Sequence, residues 1–460
     1  MRIVLSIGAG LLLSACAVGP VYKSPEMNLP DRYSLITPVS KASTRDLHWW
    51  TDFKDPVLDK LVQHAMQSNL DVAEARERVK EAEAIVRRDG VALSGNGGLE
   101  ATENSNSIDS SELSVTASFS LGGRTQWAKR AAEERLQAAE LGVDEARRIL
   151  LSQLGTAYVD MRFLQRNYET RQQDLRSRQR TLRDLNKQLE VGAATKLDVL
   201  RARALLAETK AEVPQITADI IRQRNRISTL LGVPVGDIGV DLGYKGTQPS
   251  PKGVADLGVP ADLLRARPDI RVAERQYAAA VSDVGVSVAS RYPSLSLSGL
   301  ITAPLGRGSW NESLVAGLTL PVFSQPSLAA GVDAAEARAQ QAYLVWRRTV
   351  LEAIEQVETA LADLRAAHQS VRAAREVVDL NQRSLTLTRR LLVELGETTV
   401  LDLIDRERSL SSARLSLARN KRDLANAYIA LRVALGIGHE DVSDVVSRDS
   451  VMAISDITAE

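Results

Sequence analysis

The sequence repeats itself at an offset of 204 residues, and this duplication restricts the chain to folds made of two similar halves. Residues 191–200 (VGAATKLDVL) align with residues 395–404 (LGETTVLDLI), and residues 231–233 (LGV) align with residues 435–437 (LGI). Both pairs share one offset, since 395 − 191 and 435 − 231 are each 204. Internal similarity at a fixed spacing indicates a repeated structural unit, so we expect two halves of one fold rather than about three unrelated domains.

Apolar residues recur every seven positions in both halves. The rows of the first half are Leu154, Met161, Tyr168, Leu175, Leu182, Leu189 and Val199, Leu206, Val213, Ile220, Ile227. The matching rows of the second half are Val357, Leu364, Val371, Val378, Leu385, Leu392 and Leu403, Leu410, Leu417, Leu424, Leu431. A period of seven is typical of long helices that pack lengthwise with a left-handed supercoil. We therefore predict helical hairpins over 125–231 and 327–436, which turn at Gly192 and Gly396.

The composition is poor in the large aromatic side chains that usually fill a thick core, and it favours helices that pack in a thin layer. Aromatic residues make up only 4% of the 460 residues, and 58 basic side chains balance 58 acidic ones. A single Cys excludes an internal disulfide and a multi-cysteine metal site, and the four His residues are scattered. Zero net charge without a basic block argues against nucleic-acid binding. No grouping of His, Cys or paired acids indicates catalysis, so we expect no enzyme, metal site or cofactor.

The N-terminus carries an export and lipidation signal. Residues 3–13 form an apolar run that is too short to span a bilayer and that leads into Ala15-Cys16. The only Cys stands where bacterial lipoprotein signal peptides are cut, which predicts a covalent lipid on Cys16. By the sorting rule for bacterial lipoproteins, Ala17 favours the outer membrane. No later segment has about twenty consecutive apolar residues, so strands must make any membrane crossing.

Alternating residues before each long helix predict short strands. Apolar residues alternate with Ser or Thr over 113–121 and 294–298, and they alternate mostly with small or Thr residues over 314–320. A weaker fourth candidate covers about 97–103. Four strands are too few for a membrane barrel, which needs about eight, and open sheet edges are not tolerated in lipid. Several chains must therefore share one barrel, with eight strands from two chains or twelve from three.

These patterns divide the chain into six segments. We expect a signal peptide (1–15), a lipidated N-terminal segment (16–54), a first structural repeat (55–232), a linker (233–260), a second structural repeat (261–437) and a C-terminal tail (438–460). In each repeat a helix precedes the strands, which lie within 97–121 or 293–321, and the helical hairpin follows.

Five short motifs are distributed along the mature chain. They are 16–22 (CAVGPVY), 49–56 (WWTDFKDP), 267–274 (RPDIRVAE), 291–297 (RYPSLSL) and 320–323 (LPVF). Together they resemble the motifs of TolC-like outer membrane factors of the lipoprotein (NodT) branch. The resemblance implies a mainly α, internally duplicated fold, in which three chains complete a 12-strand β-barrel and a periplasmic tunnel of twelve helices. It also implies a lipid-anchored protein in the outer membrane of a Gram-negative bacterium, extending into the periplasm.

The function that the resemblance implies is that of a passive exit duct. In this family a homotrimer docks to a periplasmic adaptor (membrane fusion) protein and an inner-membrane transporter, commonly of the resistance-nodulation-division (RND) type, and expels drugs or other small molecules. Two alternatives stay open, a duct for type I protein secretion and a structural coiled-coil protein without a channel. The coiled coil explains the seven-residue period but neither the strands nor the lipidation signal.

The resemblance also carries site residues over to this chain. In similar proteins a leucine, an aspartate and a nearby arginine form the periplasmic gate on the second returning helix, and the matching positions here are Leu401, Asp405 and Arg408. Their spacing places them on one helix face, so a trimer would present a ring of each. The family's turns meet the adaptor, and the matching contact candidates are Gly192, Thr195, Leu197, Asp198, Gly396, Thr399, Leu401 and Asp402.

Overall fold

A computed structural model of the chain describes residues 19–27, 29, 48–90, 93–100, 110–120, 122–243, 248–251, 267–304, 311–392 and 397–438. The predicted signal peptide, Cys16, Gly396, parts of the predicted linker and the tail after residue 438 lie outside the described residues.

In each half, described helical residues come before two strands, and two long helices follow the strands. The elements are a 3₁₀ helix (Trp49–Phe53), α1 (Pro56–Ser68), α2 (Leu70–Asp89), β1 (Leu93–Glu100), β2 (Ser110–Ser120), α3 (Arg124–Glu190), α4 (Lys196–Leu230), α5 (Pro268–Ala289), β3 (Ser294–Pro304), β4 (Asn311–Thr319), α6 (Gln325–Arg390) and α7 (Val400–Ala434). Among the described helices none is both long enough and apolar enough to cross a membrane.

The duplication is visible in the lengths of the helices. The returning helices α4 and α7 are both 35 residues long and start 204 residues apart. The long helices α3 and α6 have 67 and 66 residues. The structure therefore contains the two helical hairpins that the seven-residue rows predict, one built from α3 and α4 and the other from α6 and α7.

The four strands form one antiparallel sheet in the order β1-β2-β3-β4. The first strand begins earlier than the prediction of about 97–103, because β1 covers Leu93–Glu100, and residues 101–103 lie outside the described residues. Residues 95, 97 and 98 are glycines, so β1 lacks an alternating apolar pattern. Its register comes from backbone pairing with β2, in which Leu93 lies opposite Ala117 and Glu100 lies opposite Ser110.

The chain divides into two compact units, and the sheet belongs to the one that we call the strand unit (19–27, 74–143 and 268–351). In this unit Gly122 and Gly123 connect β2 to α3. A Cβ at Gly122 would lie 2.8 Å from the carbonyl oxygen of Ala289, the last residue of α5. Glycine is therefore required where this connection passes the end of α5.

The second unit, which we call the hairpin unit (48–73, 144–267 and 352–438), contains the returning helices. Its 3₁₀ helix buries Trp49 against Gly155 of α3, where a Cβ would come within 3.0 Å of the indole. Asp55 accepts a hydrogen bond of 2.5 Å from the Tyr158 hydroxyl of α3. The packing of Trp49 and the hydrogen bond of Asp55 therefore hold the 3₁₀ helix against α3 of the first repeat.

The same 3₁₀ helix is also fastened to the second half. Asp52 accepts hydrogen bonds from the Tyr428 hydroxyl and, at 3.2 Å, from the Arg432 guanidinium, both on α7. Arg432 in turn donates to the Tyr428 hydroxyl at 2.9 Å. The segment from Trp49 to Asp55 thus joins helices of the two repeats through buried aromatic rings and charge-assisted hydrogen bonds.

The seven-residue rows meet each other inside the hairpins. On the second hairpin Leu385 of α6 packs with Leu403 and Leu410 of α7, and closer to the end of α7 Val371 packs with Leu424. Tyr168 is an exception, because 37% of its surface is exposed in the single chain. The helices are held along their length by the apolar side chains that the period predicts.

We predict that Trp49→Ala lowers the free energy of unfolding by about 3–5 kcal/mol, because it leaves a large cavity between the two repeats. Thermal unfolding of the detergent-solubilised protein, followed by circular dichroism, measures the effect. The control is Leu70→Ala, which truncates a side chain that is 67% exposed. Equal melting temperatures for the two variants would contradict the role of Trp49.

Candidate functional site at the hairpin turns

The first hairpin turns at a glycine in the left-handed region of backbone space. Gly192 has a φ of 77°, and its N–H donates to the Leu189 carbonyl at 3.1 Å. The Ala193 N–H donates to the Gln188 carbonyl at 2.7 Å. These hydrogen bonds end α3. Glycine is favoured at position 192 because residues with a side chain are strained at this φ.

Both returning helices begin with the same reciprocal cap. The Thr195 hydroxyl accepts a hydrogen bond from the Asp198 N–H, while the Asp198 carboxylate accepts one from the Thr195 N–H at 3.1 Å. Thr399 and Asp402 repeat this arrangement at the start of α7. Hydrogen bonds from the threonines lower the pKa of the Asp198 and Asp402 carboxyls. These four predicted contact residues are therefore engaged in shaping the turns.

The leucines at the turns are exposed. Leu197 and Leu401 occupy equivalent positions in the first turns of α4 and α7, and they are 54% and 44% exposed. Leu200 is 59% exposed as well, whereas its counterpart Ile404 is buried against Leu205 and its neighbours. Leu200 therefore extends the exposed apolar surface at the start of α4 beyond the residues that the sequence singled out.

The predicted gate residues lie together on the exposed face of α7. Leu401, Asp405 and Arg408 are all exposed, while Leu403 and Leu410 on the opposite face are buried. Within the described residues of one chain, neither Asp405 nor Arg408 forms an ion pair. The structure thus places the three side chains in a row with the spacing that the sequence predicts, and it leaves both charges open to a neighbour.

A buried carboxylate lies directly between the two charged gate residues in sequence. The Glu407 side chain is 5% exposed and points away from the gate face. It accepts hydrogen bonds from the Ser177 and Thr181 hydroxyls of α3, at 2.9 and 3.2 Å, and from Arg389 of α6 at 3.1 Å. Glu407 therefore holds the gate segment of α7 against two other helices.

A second set of polar contacts lies one turn along α7. The buried Ser411 hydroxyl donates to Asp174 of α3 at 2.6 Å and accepts from Arg171 at 2.9 Å. Arg171 also forms an ion pair of 2.7 Å with Glu212 of α4. With Glu407, these residues form what we call the polar band, which connects all four helices of the two hairpins.

The polar band lies beside the apolar packing of Leu385, Leu403 and Leu410 in the hairpin unit. Burying charges costs free energy unless each finds a partner, and in the band Arg171 pairs with Asp174 and Glu212 while Glu407 pairs with Arg389. In the described ranges no group of three or more His, Cys, Asp or Glu residues is arranged to hold a metal ion. The band is therefore a set of ion pairs and hydrogen bonds that sets the position of α7.

The comparisons with known proteins agree with this architecture. Residues 61–233 and 259–437 match the family model described as outer membrane efflux protein. Nodulation protein T of Rhizobium leguminosarum bv. trifolii is 35% identical, over 94% of this chain and 97% of its own length. The pyoverdine export outer membrane protein OpmQ of Pseudomonas aeruginosa is 27% identical, over 94% of this chain and 96% of its own length.

A solved structure has the same fold. The outer-membrane channel OprN superposes with a TM-score of 0.82 at 28% sequence identity, covering 92% of this chain and 100% of its own. The duplicated hairpins and the four-stranded sheet are thus the fold of a TolC-like outer-membrane channel. The chain belongs to the outer membrane efflux protein family, in its NodT-type branch. The protein is located in the outer membrane of a Gram-negative bacterium, where it is an efflux channel.

We predict that Glu407→Ala loosens the gate segment and lowers the free energy of unfolding by about 1–3 kcal/mol, because three donors lose their acceptor. Hydrogen exchange measured by mass spectrometry should show faster exchange in residues 403–411. Glu376→Ala, at an exposed position of α6, is the control. Wild-type exchange rates in the Glu407 variant would show that the polar band does not hold α7.

Proposed function

We propose that three copies of this chain form the passive outer-membrane duct of a tripartite efflux pump, and that the turns of the hairpin unit form its periplasmic entrance. The observation that carries the proposal is the exposed row of Leu401, Asp405 and Arg408 on an α7 whose opposite face is packed. In a threefold assembly this row becomes three stacked rings. An aspartate ring beside an arginine ring can close a pore by ion pairs between copies and favour cations when open.

The open edges of the sheet support assembly from several copies. β1 and β4 are the edge strands of the four-stranded sheet, and each pairs with one neighbouring strand within the described chain. Unpaired backbone groups on an edge are costly in lipid, so a neighbour must cover them. Pairing of β4 in one copy with β1 in the next satisfies both edges, and threefold symmetry repeats the contact.

The turns support docking to a periplasmic adaptor. Their threonines and aspartates are used in the caps, so Leu197, Leu200 and Leu401 provide the free apolar surface. Exposed leucines at the end of a helical hairpin suit a partner that is itself a helical hairpin, because its side chains fit into the grooves between helices. An inner-membrane transporter of the RND type would then supply the energy, since the chain itself acts as a duct and not as an enzyme.

Small molecules are the proposed cargo. The relative OpmQ is named for the export of pyoverdine, which favours small-molecule efflux over protein secretion. A structural coiled coil without a channel is disfavoured by the sheet and by membership of an efflux family. A type I secretion duct would be indicated instead if cells without this protein retained an exported protein but still expelled small toxic compounds.

We predict that the double variant Asp405→Ala with Arg408→Ala increases the single-channel conductance several-fold in planar bilayers, because the ionic contacts that close the entrance are lost. The control is Arg419→Ala, an exposed arginine of α7 about three turns away. Unchanged conductance in the double variant would place the gate elsewhere.

We also propose that Cys16 carries the lipid that anchors the mature chain. Cys16→Ser is predicted to abolish labelling of the protein with radioactive palmitate in growing cells, while the wild-type chain is labelled. Labelling of the serine variant would contradict lipidation at this position.

A further inference from the structure

Polar side chains of α6 and α7 face each other at intervals of seven residues. Arg389 of α6 forms an ion pair of 3.1 Å with Glu407 of α7. Seven residues back along α6 and seven residues on along α7, Gln382 accepts a hydrogen bond of 2.7 Å from Arg414. Because the two helices are antiparallel and keep the same period, these contacts form a regular series of cross-helix pairs.

The next cross-helix pair of the series places two cations opposite each other. One further step of seven residues reaches Arg375 on α6 and Lys421 on α7. Beside them the Asn420 amide donates to the Ser370 carbonyl at 3.2 Å, so the two helices remain in contact at this level. Like charges at facing positions of two helices repel each other, and this pair therefore costs free energy unless an anion lies between them.

The Lys421 ammonium lies in a partly buried and positive environment. Lys421 stands between Leu417 and Leu424, which pack against α6. Burial lowers the pKa of Lys421, and the charges of Arg375 and of Arg166 on α3 lower it further. In the part of the chain that the structure describes, neither Lys421 nor Arg375 forms a hydrogen bond or an ion pair, so two facing cations stay uncompensated.

The carboxylates on the same stretches of α3, α6 and α7 are already paired with other cations. Those of Asp160, Glu169, Asp379 and Asp423 each form an ion pair with an arginine other than Arg375. Glu376 follows Arg375 directly on α6, and side chains at successive positions of a helix do not face each other. The negative charge that the pair of cations needs must therefore come from outside these helices.

The duplicated framework does not require cations at these positions. The long helices repeat at an offset of 203 residues and the returning helices at an offset of 204, so the equivalents of Arg375 and Lys421 are Gln172 and Thr217. The first hairpin thus has neutral side chains where the second hairpin has two cations. The charges are a property of the second hairpin and not of the shared fold.

We propose that Lys421 and Arg375 bind a small oxyanion, such as a phosphate or a carboxylate, between α6 and α7. Arg375 is exposed and Lys421 is partly buried, so the anion enters from the solvent side and meets the ammonium group below the guanidinium. Both groups donate charge-assisted hydrogen bonds to oxyanions. The bound anion turns a repulsive pair into a third link between the two helices. The inference does not depend on the proposed efflux duct.

Acetylation of lysines by acetic anhydride, read by mass spectrometry of the detergent-solubilised full-length protein, reports the occupancy of this site. The reagent attacks the unprotonated amine, and a bound anion favours the protonated form. Replacing sodium chloride by inorganic phosphate at constant ionic strength should slow the acetylation of Lys421 several-fold. Lys210, an exposed lysine of α4, is the internal control and should react at an unchanged rate.

Arg375→Gln should abolish the effect of phosphate on Lys421, because one of the two donors of the site is lost. Arg383→Gln is the matched control, since Arg383 already pairs with Asp379 at 2.8 Å, and it should keep the wild-type response. Wild-type acetylation of Lys421 that is insensitive to phosphate would overturn the inference. The same phosphate effect in the Arg375 variant as in the wild type would overturn it as well.

Thermal unfolding gives a second and independent readout. Lys421→Met removes the partly buried charge, so in chloride this variant should melt no lower than the wild type. Phosphate should raise the melting temperature of the wild type alone, because only the wild type binds it. Equal shifts in both proteins would contradict the site. Arg375→Gln, at an exposed position, provides the same comparison without a substitution on the packed face of α7.

Discussion

The packing of one apolar row against another, seven residues at a time, is the constraint on which the hairpin unit depends. Leu385 meets Leu403 and Leu410 because both helices keep the same period over their whole length. Apolar contacts of this kind tolerate sliding by a full heptad, since every heptad looks alike. The polar band removes this freedom, because Glu407 and Ser411 find their partners in only one register. The apolar row and the polar band are thus formed by different residues of the same helix.

The two halves of the duplication share their framework and differ at the positions that face outward. Thr195 and Asp198 cap α4 as Thr399 and Asp402 cap α7, so the turns have the same shape. At the positions that follow, Arg201 corresponds to Asp405 and Arg203 to Glu407, with an offset of 204 in both cases. At these two equivalent positions α7 therefore carries an exposed aspartate and a buried glutamate, where α4 carries two arginines. The two hairpins therefore share their turns and differ in the charges of the helix faces that follow.

Periodic features of this molecule could be predicted from the sequence, and features that depend on a partner element could not. The seven-residue rows predict both hairpins, and the spacing of Leu401, Asp405 and Arg408 predicts their common face. The start of β1 could not be predicted, because its glycines carry no pattern and its register depends on β2. Thr195 and Asp198 have the spacing of a capping box, which explains their use in the turn. Glu407 is a charged residue on the buried face of α7, but its partners on α3 and α6 are visible only in the structure.

The attachment of the 3₁₀ helix to α7 has a consequence for the order in which the chain folds. Asp52 and Tyr428 are 376 residues apart in sequence, and beside their contact the Phe53 ring packs on the rings of both Tyr428 and Trp49. Closing so long a loop costs more chain entropy than closing a helical hairpin, so we expect this contact to form after the hairpins. During export the N-terminal residues enter the periplasm long before α7. The Trp49 and Trp50 rings therefore lack their final packing partners during that time. An incomplete chain therefore keeps exposed an aromatic surface that the complete chain buries.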